Sequence, residues 1–392
     1  MEKTEVFQRQ NQRISSSEIL QAIADGCAIK LNDCTVSGAL DINRLLVKEE
    51  NFNTSGLTVA TDEFSTSITI SQLVTFNNCI FENNVCFAAD WDKPDELGVI
   101  FKRDVMFNSS TFKDQTRFSN AVFRGLAGFD GCTFERIAAF RGTTFHGRAM
   151  FRTAAFDAYG LFNKATFCKE ARFTNTCFSR GGNFTKVEFE GNTDFAGVYS
   201  KSKSVPIYES VKFARRSYRV DETFWRFIKQ ASQDAGYYRL AGDCFYKERC
   251  AHFWRRLKGP RYDELSVPQK LAGFIKGIAL LPELILGRWL FGYGERPVRV
   301  LAASGAIILL CALFYASPLA ELSCRTDPVS LQRSTMDGLY FSITTFATLG
   351  FGDIYPKDGH LLTRCVVMFE TIAGASLVAL FVVSLAKRFS RG

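Results

Sequence analysis

The sequence predicts a multidomain membrane protein in which a β-solenoid, a basic α-helical linker and a pair of membrane-spanning helices follow one another. The solenoid is indicated by phenylalanines that recur with an even spacing between Phe107 and Phe195. The membrane domain is indicated by two apolar stretches near the C-terminus, residues 300–320 and 365–386. The linker is indicated by an excess of basic residues between these two regions.

Net charge divides the 392-residue chain into two unlike parts. Residues 1–200 hold 21 Lys/Arg and 24 Asp/Glu, a net charge of −3, whereas residues 201–392 hold 27 and 16, a net charge of +11. A basic segment can bind nucleic acid or the anionic inner face of a membrane. Residues 1–20 lack the apolar core of a signal peptide, so we expect a cytosolic N-terminus and reduced, mostly buried cysteines.

A ladder of phenylalanines has gaps that alternate between five and six residues. Neither the period of an α-helix nor that of a β-strand produces such gaps, whereas a solenoid with one large inward residue on each side does. The mean gap predicts a coil of about 22 residues, and therefore a stacked column at every fourth position. The ladder consists of Phe107, Phe112, Phe118, Phe123, Phe129, Phe134, Phe140, Phe145, Phe151, Phe156, Phe162, Phe167, Phe173, Phe178, Phe184, Phe189 and Phe195.

This ladder closely resembles the pentapeptide-repeat family, whose chains wind into a right-handed, four-sided β-helix. The resemblance covers residues 30–196 and implies a quadrilateral β-helix there, preceded by an N-terminal segment at residues 1–29. The family's plain repeat is five residues, so we expect an extra residue on alternate sides of this coil. The phenylalanines are core residues and the outward residues contain no catalytic cluster, which leaves the ligand or partner of the solenoid open.

Residues 197–262 are predicted to form a basic helical linker. The segments 221–236 and 237–258 place apolar residues at i, i+3 and i+4, which predicts two packed amphipathic helices with Asp221 as the cap of the first. Interleaved basic and aromatic residues could bind nucleic acid. We favour solvated helix faces beneath an anionic membrane instead.

Residues 263–296 contain an apolar stretch that a membrane core would accept poorly. It is interrupted by Pro282 and by the charged residues Lys276, Glu283 and Arg288. A helix that lies in the membrane interface, with Trp289 at the depth of the headgroups, fits this composition better than a third spanning helix.

The two apolar stretches near the C-terminus are each long enough to cross a hydrocarbon core of about 30 Å. We expect spans at residues 298–320 and 362–387 of a domain that comprises residues 297–392. Basic residues precede the first span and follow the second. Two spans return the chain to the side that it left, so both termini are predicted to be cytoplasmic, at the cell (inner) membrane.

A short predicted helix at residues 334–347 and the string TLGFGD at 348–353 lie between the spans. This order of elements, with the pattern T-x-x-T-x-G-F-G-D from Thr345 to Asp353, resembles the two-transmembrane potassium-channel pore family. The resemblance covers residues 297–389. It implies four identical subunits, each with a re-entrant pore helix, around a potassium-selective filter.

The resemblance places ion binding in this string. A potassium ion gives up its water only where rings of backbone carbonyls replace it. Successive carbonyls face one axis only if alternate residues adopt left-handed angles, which Gly350 and Gly352 tolerate. Leu349 and Phe351 would pack the outside of the ring, and Asp353 would brace its outer mouth. K+ would be bound by the Thr348 hydroxyl and by the carbonyls of Thr348, Leu349, Gly350 and Phe351.

Two departures from the commonest pattern concern the support of the filter. Phe351 replaces a tyrosine, so we expect no hydroxyl to tie the filter to the short helix, and Thr344 stands where several relatives have glutamate. Glu370 in the second span is the expected substitute, through a hydrogen bond from Thr344 or Thr345. The alternatives are that this hydrogen bond is only structural, or that Glu370 is protonated.

The second span also carries the predicted hinge and gate. Gly374 matches the hinge glycine of the family and is equally consistent with a packing glycine. Val378, Val382 and Ala386 share one face at i, i+4 spacing, so they would line the inner cavity and a hydrophobic gate.

These observations predict a homotetrameric potassium channel that needs no cofactor and is regulated by a cytosolic solenoid. Anionic lipid is the expected partner of the linker, and no nucleic acid is expected. An enzyme is not expected, because no nucleophile–base pair, metal cluster or phosphate loop is present. The alternatives are a membrane-anchored pentapeptide-repeat scaffold, a weakly selective cation pore, and a DNA-mimicking binding module, for which the N-terminal half is hardly acidic enough.

Overall fold

The computed structural model describes residues 5–46, 52, 56–61, 66–89, 97–202, 204–213, 220–258, 266, 268, 277–325 and 334–389. The chain divides into two compact units, Met1–Ser266 and Val267–Gly392. The first unit contains a solenoid and a helical hairpin, and the second contains the apolar helices.

The solenoid is a β-helix with four parallel sheets, which the chain visits in turn. One coil consists of the strands Val105–Met106, Thr111–Phe112, Thr116–Arg117 and Val122–Phe123. The next coil repeats this order 22 residues later, since Val105 pairs with Ala127 and Thr111 pairs with Thr133. The predicted coil length is confirmed.

The strands of each sheet are given in order along the sheet. The first sheet contains Val6–Gln10, Ala28–Asn32, Val74–Asn77, Val105–Met106, Ala127–Gly128, Ala149–Met150, Ala171–Arg172 and Thr193–Asp194. The second contains Arg13–Ser15, Thr35–Ser37, Ile80–Phe81, Thr111–Phe112, Thr133–Phe134, Ala155–Phe156 and Cys177–Phe178. The third contains Leu40–Asp41, Val85–Cys86, Thr116–Arg117, Ala138–Ala139, Gly160–Leu161 and Gly182–Asn183. The fourth contains Thr58–Thr61, which is antiparallel to its neighbour, and then Thr66–Ile70, Leu97–Phe101, Val122–Phe123, Thr144–Phe145, Thr166–Phe167, Glu188–Phe189 and Lys212–Phe213.

Phenylalanine rings fill the interior in stacked columns. In the column predicted from the spacing, successive centroids are between 4.7 and 5.5 Å apart, with ring planes within 15° of parallel. Rings of the columns beside the first and third sheets meet edge to face, as Phe151 and Phe162 do at 5.4 Å. Both arrangements are favourable for aromatic quadrupoles, so the ladder contributes specific geometry as well as buried apolar area. The stacked column is Phe107, Phe129, Phe151, Phe173 and Phe195.

The solenoid extends beyond the predicted range of 30–196 at both ends. Parallel pairing begins at Val6–Gln10 and ends at Lys212–Phe213. The coil before residue 30 is filled by aliphatic side chains such as Ile14 and Ile29, which are buried. The spacing of phenylalanines therefore gave no sign of this coil.

A helix, α1 (Ser16–Ala24), is inserted in the first coil. Its N-terminus has a capping box, in which the Ser15 side chain accepts from the backbone and the Glu18 side chain accepts from the Ser15 N–H. Ile19, Leu20 and Ile23 on one face are buried in the core. α1 thus closes part of the N-terminal coil.

A hairpin of α2 (Val220–Asp234) and α3 (Tyr238–Lys258) forms the predicted helix pair. Phe224 of α2 packs edge to face on Phe195 at 5.1 Å and on Phe184 at 5.8 Å. α2 therefore covers the last coil of the solenoid. The predicted cap position of Asp221 is wrong, because α2 begins at Val220 and Asp221 lies within its first turn.

The second unit is built from three apolar helices. They are preceded by a π-helix, Glu283–Leu290, and a 3₁₀ turn, Gly292–Gly294, and are accompanied by a two-stranded antiparallel sheet of Leu322–Cys324 and Ile354–Pro356. Two of the helices are long and apolar enough to cross a membrane, over Pro297–Ala316 and Leu361–Lys387. The helices are α4 (Pro297–Ala316), α5 (Thr335–Phe346) and α6 (Leu361–Phe389).

Only one helix end in the second unit differs from the predicted one by more than two residues. α4 ends at Ala316 and not at 320, because Ser317 is extended (φ −82°, ψ 160°), as expected for the residue before Pro318. Of the predicted interfacial segment, Lys276 lies outside the described residues. Trp289, in the described part, is 71% exposed, and its insertion among lipid headgroups stays a prediction.

Candidate functional site

The loop after α5 has an alternating backbone. Thr348, Gly350 and Gly352 have φ angles of 56°, 50° and 74°, whereas Leu349 and Phe351 between them are not left-handed. The left-handed backbone conformation that the sequence predicts at Gly350 and Gly352 is therefore present. Thr348 adopts the same conformation, which is unfavourable for a β-branched residue and which its identity did not predict.

The side chains of this loop have few contacts within the single chain. A Cβ on Gly350 or Gly352 would meet no atom within 4 Å. Leu349 and Phe351 are 59% and 66% exposed. The Thr348 hydroxyl, expected to bind an ion, donates a hydrogen bond to the Ala347 carbonyl at 2.7 Å and keeps its lone pairs for another partner.

The outer end of the loop is held by Asp353. Its carboxylate accepts hydrogen bonds from the Tyr340 hydroxyl at 2.7 Å and from the Ile354 N–H at 3.0 Å. The Tyr340 hydrogen bond holds the pKa of Asp353 below its usual value. The Asp353 carbonyl accepts from the Arg325 N–H at 2.9 Å.

Tyr340 was missed in the sequence. The expectation that the loop lacks a hydroxyl bridge to the short helix was drawn from Phe351 alone, and it is wrong, because Tyr340 of α5 provides such a bridge to Asp353. The sequence signal that indicates this bridge is Tyr340 itself, which lies two turns before the C-terminal end of α5.

Glu370 is fully buried behind the loop and joins three helices. Its carboxyl group contacts the Tyr315 hydroxyl of α4, at 2.8 Å, and the Ser342 hydroxyl of α5. The predicted hydrogen bond from Thr344 or Thr345 is wrong for Thr344, whose hydroxyl donates to the Phe341 carbonyl at 3.0 Å. Ser342, one helical turn before Thr345, takes the place expected for the threonines.

Gly374 allows α6 to approach the end of α5. A Cβ on Gly374 would lie 2.1 Å from the Phe346 carbonyl oxygen, so no larger residue fits without displacing the backbone. Gly338 likewise allows α5 to approach α4, since a Cβ at this position would lie 2.6 Å from the Ala312 carbonyl oxygen of α4. The packing role of Gly374 is thereby established, and a hinge at this position stays a prediction.

The predicted cavity face of α6 is uncovered within the chain. Val378 and Val382 are 50% and 57% exposed, and Ala386 is also exposed. Leu377 and Ser384 on the opposite side of the helix are buried.

The end of α6 is tied to the turn that precedes α4. The Lys387 ammonium donates to the Tyr293 carbonyl at 2.9 Å and pairs with the Glu295 carboxylate at 3.0 Å. The Ser384 hydroxyl donates to the Gly294 carbonyl at 3.0 Å. Three successive left-handed residues, Gly292, Tyr293 and Gly294, turn these carbonyls toward α6. We call this set of contacts, from residues 292–295 to Ser384 and Lys387, the inner clamp.

Several basic side chains of the helical hairpin are engaged in ion pairs within it. Arg226 pairs with Glu222 and Glu248, both at 2.9 Å, and Arg255 pairs with Glu222 at 3.1 Å. Lys229 pairs with Glu248 at 2.7 Å. Since Glu222 and Glu248 are buried, these bases stabilise the hairpin, and a lipid headgroup would have to compete for them.

Comparison with known families supports both resemblances. Residues 302–391 match the family model of an ion channel, and residues 107–155 match that of pentapeptide repeats (9 copies). No solved structure matches the chain. The chain thus carries pentapeptide repeats in its N-terminal part and an ion channel domain in its C-terminal part, and neither family is an enzyme family.

Proposed function

From the premise that residues 302–391 are an ion channel domain, we propose that the protein is a potassium-selective channel. The observation that carries the proposal is the alternation of left-handed residues at Thr348, Gly350 and Gly352. This alternation turns successive carbonyls to the same side of the strand, where K+ exchanges its hydration shell for them. The proposed ligands of K+ are the Thr348 hydroxyl and the backbone carbonyls of residues 348–351.

A single chain supplies one strand of such a filter, so the functional unit we propose is a homotetramer. Leu349 and Phe351 expose large apolar side chains beside the loop, and Val378 and Val382 expose them on α6. Apolar groups of this size are normally covered by a partner or by lipid. In the tetramer Leu349 and Phe351 pack against neighbouring subunits, while Val378, Val382 and Ala386 line the cavity and its gate.

We further propose that the cytosolic solenoid regulates the gate through the segment before α4. The inner clamp supports this route, because it fixes the start of α4 to the cytoplasmic end of α6. Both termini then lie on the cytoplasmic side of the cell membrane. Basic residues of the hairpin that are exposed, such as Arg256, provide the contact with anionic lipid.

Current through the purified protein in planar bilayers tests the proposal. We expect the reversal potential to follow the K+ gradient, with Na+ excluded. A current that passes both ions equally would leave a weakly selective pore, and the absence of current would favour the membrane-anchored scaffold.

Two glycine variants locate the selectivity in the loop. Gly350→Ala forces a side chain into a left-handed conformation, at a cost of roughly 1–2 kcal/mol in each subunit, and should abolish selectivity or current. Gly359→Ala is the matched control, because Gly359 is also left-handed (φ 87°), has nothing within 4 Å of its Cβ position and lies outside the loop. Equal effects of the two variants would contradict a role of Gly350 in the filter.

A further inference from the structure

The Ser342 hydroxyl contacts two oxygen atoms, although it has a single hydrogen. Its Oγ lies 2.9 Å from the Ile308 carbonyl oxygen of α4 and within hydrogen-bond distance of Glu370 Oε1 on α6. A carbonyl can only accept, so a hydrogen bond between Ser342 and Ile308 uses the single Ser342 hydrogen. Both contacts of Ser342 are hydrogen bonds at the same time only when Glu370 supplies the hydrogen between Ser342 and Glu370.

We propose that Glu370 is a protonated, neutral carboxylic acid that donates to Ser342 and thereby positions the pore helix. The Tyr315 hydroxyl donates to Glu370 Oε2 at 2.8 Å, which completes a directed chain. The chain runs from Tyr315 to Glu370, then to Ser342 and to the Ile308 carbonyl. Each of its three hydrogens has one acceptor, and no acceptor faces another acceptor.

The described side chains that contact the Glu370 carboxyl are polar but carry no positive charge. From α4 the carboxyl is faced by Tyr315 and by the Cys311 thiol, and from α5 by Ser342. None of these contacts among the described residues is cationic. An ionised carboxylate that is fully buried without a counter-charge is strongly unfavourable, so the neutral acid is the state that the site stabilises.

Charged groups line a cavity beside Tyr315. The cavity has a volume of about 240 Å³ and is lined by Tyr315, Glu321, Asp337 and Lys357, among others. Lys357 pairs with Glu321 at 3.1 Å. The cation of this cavity is therefore already engaged by a carboxylate other than Glu370.

Glu370 thus acts as a positioning residue for the filter, and this role rests on the proposed channel function. α5 ends directly before the loop of left-handed residues, and Ser342 fixes its rotation relative to both spans. A glutamine has the same shape and can do what the neutral acid does, since its amide donates to Ser342 and its carbonyl accepts from Tyr315. A valine can do neither.

The comparison of wild type, Glu370→Gln and Glu370→Val by single-channel recording tests the positioning role. We expect Glu370→Gln to keep the open time and selectivity of wild type. Glu370→Val should shorten openings about tenfold, the factor expected when one buried polar group is left unsatisfied. Equal losses in the two variants would overturn the proposal.

The protonation state is tested separately by infrared difference spectroscopy of the full-length protein in lipid, with wild type compared with Glu370→Gln. We expect the carbonyl band of a protonated carboxylic acid at neutral pH, and a carboxylate band in its place would overturn the proposal. This readout needs no current. If no variant conducts, the channel function fails while the infrared band still decides the protonation of Glu370.

Discussion

Asp221 is an acidic side chain whose environment disfavours its charge. It lies in the first turn of α2, next to the buried Glu222, and its Oδ1 atom is buried with no hydrogen-bond partner among the described residues. Loss of solvation by burial, together with the charge of Glu222, raises the pKa of Asp221 to about 6. Since α2 covers the last coil of the solenoid, this carboxyl group links the stability of that end to pH.

The sign of this effect follows from the two pKa values. In the unfolded chain Asp221 should titrate near its ordinary value of about 3.9, so the folded state binds the proton more tightly. The stabilisation that the raised pKa of Asp221 contributes to the free energy of unfolding is present in full below about pH 4. It is lost as the pH rises through about 6.

Asp221→Asn should therefore stabilise the first unit at pH 7, by up to about 3 kcal/mol, and have little effect at pH 4. The measurement is thermal unfolding of wild type and variant across this range. Asp234→Asn, at the exposed end of the same helix, is the control and should change neither pH profile nor stability appreciably. Parallel profiles for wild type and Asp221→Asn would contradict the prediction.

The backbone conformation of single loop residues could be predicted where few residue types can adopt it. Left-handed angles at Gly350 and Gly352 follow from the need to align carbonyls, which only glycine meets without cost. The same angle at Thr348 was not predictable, because nothing in a threonine favours it. The partners of Glu370 depend on how α5 is rotated against α4 and α6, which close contacts at Gly338 and Gly374 decide.

At the scale of elements, the inner clamp connects two segments that are far apart in sequence. Lys387 contributes both a hydrogen bond to the Tyr293 carbonyl and an ion pair with Glu295, whose side chain is largely buried. Because one side chain makes both contacts, we expect a displacement of the turn before α4 to reach the end of α6. The geometry is specified by the run of left-handed residues at Gly292, Tyr293 and Gly294.

Lys387→Met should loosen the inner clamp, because it removes a hydrogen bond and an ion pair while keeping the apolar part of the side chain. We expect a loss of roughly 1–2 kcal/mol in thermal stability. A double-mutant cycle with Glu295→Gln measures their coupling, both in stability and in open probability. Strict additivity of the two changes would show that the pair does not couple the elements.

The elements of the solenoid were largely predictable, and those at its ends were not. The 22-residue coil and the ring columns follow from spacing alone, because each ring must stack on its equivalent. The aliphatic coil before residue 30 and the cover provided by Phe224 leave no periodic trace. Their positions depend on tertiary contacts at a terminus, where the repeat no longer constrains the sequence.

At the scale of the whole molecule, the solenoid is a stack in which each coil contacts only its neighbours. Its stability is then approximately a sum over coils and their interfaces. Deletion of residues 123–144, one complete coil, joins Val122 to Phe145 and restores the parallel register, since Val122 already pairs with Thr144 and Phe123 with Phe145. We expect a folded protein with a slightly lower unfolding temperature.

Deletion of residues 123–142 is the matched control, because it removes two residues fewer and shifts every later side chain out of its column. Circular dichroism during heating distinguishes the two proteins. A cooperative transition should survive only in the first. Equal behaviour would mean that the 22-residue register does not determine the fold.

The cover that α2 places over the last coil also bears on self-assembly. A solenoid of identical layers ends in unpaired strand edges and exposed rings, which offer a template for a second chain to continue the stack. Phe224 occupies that surface, on Phe195 and Phe184. At the other end, the outermost strand Val6–Gln10 presents mostly exposed, polar residues. Both features disfavour end-to-end polymerisation of a molecule whose interior is intrinsically repetitive.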